Sequence, residues 1–98
     1  MATRIIEYGG DFQPHYSVVV PSDQFVTEQT ALTATGTSQQ SAAVSNDTTI
    51  VCVQSDEAVY VRVAANPTAT TNSYRLQAGT EQFFKVAPRA SWKVAVRT

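Results

Sequence analysis

The stretch from Thr48 to Ala64, TTIVCVQSDEAVYVRVA, constrains the fold more than any other part of this chain. Two β-branched runs, Thr49 to Val53 and Ala58 to Ala64, flank the polar Gln54-Ser55-Asp56-Glu57. Valine and isoleucine suit a pleated, half-buried backbone, and no helical period runs through either segment. In the second run Val59, Val61 and Val63 alternate with Tyr60, Arg62 and Ala64, so one side is committed to a core. Together the runs and their polar link predict a β-hairpin at the centre of a sheet.

The same signals recur along the chain. Thr3 to Tyr8 is a short strand broken by Gly9-Gly10, and the segment holding Phe12, Pro14, His15 and Tyr16 is extended because proline fixes φ and restricts its predecessor. Tyr16 to Val20 is a further strand, ended by Pro21. Gln24 to Val44 is rich in Thr, Ser, Gln and Ala and reads either as a disordered linker or, the favoured reading, as short strands at Gln24–Thr27, Ala31–Thr35 and Ser41–Ser45 with Gly36 in a turn. Ala65 to Asn72 is a loop. Ser73 to Gln77 places Tyr74 and Leu76 on one face, Ala78-Gly79-Thr80 turns the chain, and Gln82 to Ala87 sends Phe83 and Phe84 to opposite sides. After the turn at Pro88-Arg89-Ala90, Trp92, Val94 and Val96 alternate in a last strand. Strands spaced by about 8 to 12 residues with turns between them predict an all-β fold, an antiparallel β-sandwich or jelly-roll barrel with an extended N-terminal arm. The expected division is an arm over residues 1–15 and a single β-sandwich domain over 16–98.

Charge limits the partners. Only 15% of the residues are charged, against about 25% in an average soluble domain. Hydroxyls and amides fill the difference, and they suit both a threonine-rich solvent face and a surface covered by other subunits. The net charge of −1 argues against a nucleic-acid partner, since phosphate contact needs a basic surface. The sign is unevenly distributed: Arg4 is the only base before Tyr60, among seven carboxylates, whereas six bases and Glu81 alone follow it. Such polarity either pairs strands within one subunit or steers head-to-tail contact between copies or with a larger partner. Cys52 is the only cysteine, so no internal disulfide forms, and between Val51 and Val53 it reads as a small buried hydrophobe. The N-terminus lacks the order of a signal peptide and no apolar run approaches the roughly 18 residues of a membrane span, so synthesis in the cytosol with no membrane partner is expected.

Candidate chemistry is sparse. His15 is the single histidine and no serine sits in an elbow motif, so no catalytic residue is assigned. One His, one Cys and dispersed carboxylates give no metal-ligand spacing, and glycine is too scarce for a phosphate loop; no cofactor is expected. Asn46-Asp47-Thr48 matches the glycosylation pattern. Tyr60, Tyr74, Phe84 and Trp92 either line a sugar-binding platform or serve the core.

From Gly36 to the C-terminus three segments, Tyr60 to Thr70 (YVRVAANPTAT), Tyr74 to Phe84 (YRLQAGTEQFF) and Trp92 to Arg97 (WKVAVR), resemble strand and turn signatures of small tailed-bacteriophage virion proteins. The closing turn, Pro88-Arg89-Ala90-Ser91, departs from the glycine-containing, acidic form of that group and makes the tip basic. The resemblance implies a non-enzymatic structural role. It points to a capsid decoration or cement protein on the capsid exterior, present in many copies and bridging major capsid subunits and copies of itself. A head-to-tail connector or tail component of the virion and a glycan-binding β-sandwich module are the alternatives. The expected partner contacts are Tyr8, Phe12, His15 and Tyr16 of the arm, Asn66 and Thr68 of the loop after the valine-rich strand, and Arg89 of the closing turn.

Overall fold

The computed structural model describes residues 2–9, 25–87 and 89–98. Within them the chain forms nine strands and no helix: β1 (Ala2–Tyr8), β2 (Phe25–Glu28), β3 (Leu32–Thr33), β4 (Gln39–Gln40), β5 (Ile50–Ser55), β6 (Val59–Ala64), β7 (Tyr74–Leu76), β8 (Glu81–Lys85) and β9 (Lys93–Arg97). The first sheet runs β2-β1-β5-β8, with β3 also pairing along β1, and the second runs β4-β9-β6-β7. Every pairing among the described strands is antiparallel.

One apolar core is shared by both sheets. Ile5, Val51 and Val53 from the first meet Val59, Val61, Leu76, Val94 and Val96 from the second, and Ala34, Val44 and Val86 close its margins. Each fully buried valine or leucine contributes about 1.5–3 kcal/mol relative to exposure. The alternations expected in β6, β7 and β9 are the ones that point these residues inward. β5 behaves differently, because Ile50 and Cys52 are buried on the face opposite Val51 and Val53. A strand buried on both faces carries a continuous apolar run in place of an alternating one, and Ile50-Val51-Cys52-Val53 is such a run.

The expected hairpin does not form. β5 lies in the first sheet and β6 in the second, so the link at Asp56, Glu57 and Ala58 carries the chain across the core. Ser55 Oγ accepts the Glu57 N–H at 3.3 Å and helps shape this crossing. Side by side in one sheet, the valines of both runs would line the same surface and still need a cover. In opposite sheets they cover each other. The turn at 78–80 likewise joins β7 and β8 of different sheets, and Gly79 adopts φ 74°, a conformation costly for other residues.

β2 and β3 fall where short strands were expected. The third, expected at Ser41–Ser45, is centred on Gln39–Gln40, although Ser41 and Val44 still donate their N–H groups to the carbonyls of Val94 and Trp92. At the N-terminus β1 is an interior strand, flanked by β5 on one side and by β2 and β3 on the other. Residues 10–15 of the expected arm, and the strand expected at Tyr16–Val20, lie outside the described residues.

Candidate functional site

The register of the first sheet aligns side chains from four strands into a polar row on the face away from the core. Arg4 lies opposite Gln54, and Gln54 opposite Glu81. Arg4 donates Nε and Nη2 to the two carboxylate oxygens of Glu28 at 2.7 and 2.8 Å, and Nη1 to Gln54 Oε1 at 3.1 Å. Gln54 Nε2 in turn donates to Glu81 Oε2 at 2.6 Å. The row thus ties β2, β1, β5 and β8 together. With Ser55, Asp56, Gly79 and Thr80, three of its members line an open groove of about 440 Å³.

The groups around this groove are held in unreactive states. Glu28 is shifted below its ordinary carboxylate pKa by the hydrogen bond from Arg4, and Arg4 is shifted upward by the same pairing. Cys52 is almost fully buried, and its Sγ points to Glu81 Oε2 at 3.4 Å. Burial first, and the negative charge of Glu81 second, push this thiol up to about 12, so it stays protonated at neutral pH. The Ser55 hydroxyl is buried; it accepts from Thr3 at 3.3 Å as well as from the Glu57 N–H. The groove therefore offers hydrogen-bonding groups and exposed carboxylates, and among the described residues no nucleophile is held against a base there. Among the described residues no three His, Cys, Asp or Glu side chains gather as a metal site.

A second polar cluster lies where the chain between β4 and β5 meets the end of β1. Glu7 is 2% exposed, on the same side of β1 as Ile5. It accepts from the Ser45 N–H at 2.9 Å, the Thr48 hydroxyl at 2.6 Å and Gln29 Nε2 at 2.9 Å. Neutral donors, with no cation in hydrogen-bonding reach among the described residues, hold the carboxylate and fasten residues 45–48 to the sheet. Next to it the backbone of Gly9 comes so close that an added Cβ would stand 2.7 Å from the Asp47 carbonyl oxygen. Thr48, the hydroxyl residue of the glycosylation pattern, is fully buried in this cluster.

Four of the expected partner contacts lie among the described residues, in three different segments of the chain. Tyr8 is half-buried on the outer face of β1, with its ring 6.3 Å from that of Phe83. Burial first, then the nearby Cys52 and Glu81, raise its pKa. Asn66 and Thr68 are exposed in the loop after β6. That loop is fastened to β4: Gln40 Nε2 donates to Asn66 Oδ1 at 3.0 Å and to the Pro67 carbonyl at 2.7 Å, and the Ala69 N–H donates to Ser38 Oγ at 2.9 Å. Arg89 is exposed in a separate turn, at φ 63°. Phe12, His15 and Tyr16 lie outside the described residues.

The four aromatics considered as a platform do not share one face. Tyr74 and Phe84 meet edge to face at 5.6 Å where β7 and β8 adjoin. Trp92 packs against the core, and Tyr60 lies on the opposite face of β6 from the core valines.

Sequence reasoning passed over Glu7 and Gly9. Their roles depend on which distant segments come together, and only the placement of Glu7 between Ile6 and Tyr8 in a strand pattern hinted that a charge would alternate inward. No family model, curated protein or solved structure matches this chain.

Proposed function

We propose that this chain is a non-enzymatic virion structural protein, a capsid decoration protein that bridges and stabilises major capsid subunits, with its two sheets packed as a sandwich of the jelly-roll kind. The observation that carries the reading is the loop after β6. Its exposed residues Ala65, Asn66, Thr68, Thr70, Thr71 and Asn72 are uncharged, and hydrogen bonds with Gln40 of β4 and Ser38 just before it fasten the loop to the second sheet. A fixed, neutral, hydrogen-bonding surface loses little entropy and desolvates no charge when another protein covers it. Repetition over a capsid lattice then multiplies a modest affinity per copy. Phe12, His15 and Tyr16 supply large side chains for anchoring on a neighbouring subunit.

Occupancy on purified tailed-phage particles tests this. Hundreds of copies per particle are expected, and Asn66→Lys, which places a charge in the neutral loop, should lower that number without unfolding the protein. The triple replacement of Phe12, His15 and Tyr16 by alanine should do the same. Deleting residues 1–15 is not an equivalent experiment, because it removes β1 from the interior of the first sheet. A handful of copies per particle would move the protein to the neck or tail, and unchanged occupancy of both variants would remove the assigned contacts.

A further inference from the structure

The face of the second sheet that looks away from the core gathers cations. Val59 and Val61 of β6, Leu76 of β7 and Val94 and Val96 of β9 point inward, so the residues that alternate with them point outward. The register sets Arg75 and Arg97 on either side of Tyr60, in one row across three strands. Arg62 and Lys93 continue the series in the next two rows, opposite Ala95 and Ala64. Four of the chain's seven lysines and arginines thus share this face, and no described strand residue on it is a carboxylate. The ion pair found among the described residues, Arg4 with Glu28, belongs to the first sheet. Arg97 Nε donates to the main-chain oxygen of Thr98 at 3.1 Å. Among the described residues the side chains of Arg62, Arg75 and Lys93 have no hydrogen-bond or ion-pair partner.

The neutral loop after β6 lies on the same face. Gln40 stands opposite Ala95 and faces outward with it; its Nε2 holds Asn66 and Pro67, and Ser38 Oγ accepts the Ala69 N–H. β9 lies between β6 and β4, so the loop crosses β9 to reach them. Ala95 is fully buried although it points away from the core, and Ala69, outside the core cluster, is buried as well. The face therefore combines an uncharged patch, fastened to the sheet, with cations beside it, of which Arg62 and Arg75 are fully exposed. Like charges gathered without counter-charges repel one another, so the arrangement costs the isolated fold. A protein that brings carboxylates to this face removes that repulsion, while the uncharged patch can be covered without desolvating an ion.

We infer that the loop and these cations form one docking surface, whose occupant is another protein presenting carboxylates to Arg62, Arg75, Lys93 and Arg97. Arginine suits such a partner because its planar fork pairs with both oxygens of a carboxylate. A nucleic acid fits less well. Its charge continues along the whole strand, past this face and over a molecule whose net charge is −1. Among the described strand residues of the face, Tyr60 alone offers a ring on which a base could stack. The inference rests on the reading of the loop as a contact surface and adds the charge of what covers it.

Titration calorimetry of the full chain with poly-L-glutamate and, separately, with single-stranded poly-dT tests it. Polyglutamate should bind, and more weakly as salt is raised. Arg62→Glu combined with Arg75→Glu should weaken that binding at least about tenfold. Arg62→Gln combined with Arg75→Gln removes the charges without reversing them and should weaken it about threefold, which keeps the test open if the reversed variant does not fold. Lys85→Glu reverses an exposed charge on the first sheet and should leave binding within about twofold of the wild type. No binding of polyglutamate, a complex indifferent to both arginine pairs, an equal loss in Lys85→Glu, or tighter binding of poly-dT than of polyglutamate overturns the inference. Each of these results leaves the decoration reading standing, since that reading is decided by copies on particles.

Discussion

Replacing Glu7 measures how strongly neutral donors hold a buried carboxylate in this fold. Glu7→Ala removes the acceptor for three hydrogen bonds, from Ser45 N, Thr48 Oγ1 and Gln29 Nε2. Hydrogen bonds to a charged group contribute about 1.5–3 kcal/mol each, but the full sum is not lost here. Ser45 is exposed and Gln29 half-buried, so water replaces part of what they lose. The fully buried Thr48 hydroxyl retains the Ser45 hydroxyl at 2.9 Å. The carboxylate's own desolvation, about several kcal/mol with no cation in hydrogen-bonding reach among the described residues to offset it, is also relieved by the substitution. The net expectation is a loss of about 3 kcal/mol for Glu7→Ala and about 1 kcal/mol for Glu7→Gln, which keeps the shape and one acceptor oxygen. Urea unfolding followed by Trp92 fluorescence reads both, with the slope unchanged if only stability moves. A double-mutant cycle of Glu7→Gln with Thr48→Val should give a coupling above about 0.5 kcal/mol. Should Glu7→Ala unfold within about 0.5 kcal/mol of the wild type, the cluster would not be fastening residues 45–48 to the sheet, and the reasoning fails.

Cys52 predicts an alkaline weakness. Its pKa is about 12 in the fold against 9.0 for an unperturbed thiol, so the unfolded chain ionises first; the stability linked to the protonated thiol is intact below about 9 and is lost as pH rises towards 12. Cys52→Val should therefore gain on the wild type above pH 9, by at most about 4 kcal/mol at the alkaline limit, and parallel pH profiles of the two proteins would refute this. Gly9→Ala should cost about 1–3 kcal/mol in thermal or urea unfolding, because its Cβ meets the Asp47 carbonyl oxygen at 2.7 Å. Gly36→Ala, with nothing within 4 Å of the new atom, should be neutral or stabilise by up to about 1 kcal/mol in the same assay. Unchanged stability in Gly9→Ala would mean that residues 45–48 yield readily, in conflict with the hydrogen bonds that hold them.

The amino-acid order alone determined the local character of nearly every described element. Alternation in Val59-Tyr60-Val61-Arg62, in Tyr74-Arg75-Leu76 and in Val94-Ala95-Val96 states which side of each strand faces a core, because side chains on a pleated strand alternate with period two. Gly79 in the 78–80 turn is equally local, since the backbone conformation there demands it. What sequence could not determine is which strand lies beside which. The link at 54–57 has the polarity of a hairpin turn, yet β5 and β6 separate into facing sheets and β5 pairs with β1 and β8 instead. Pairing joins residues as far apart as Thr3 and Ser55, and neither propensity nor period carries that information; burial of both apolar surfaces decides it. The polar groups follow the same rule. Glu7 reads as an ordinary charge near a terminus, and only the arrival of residues 29, 45 and 48 makes it a buried anchor.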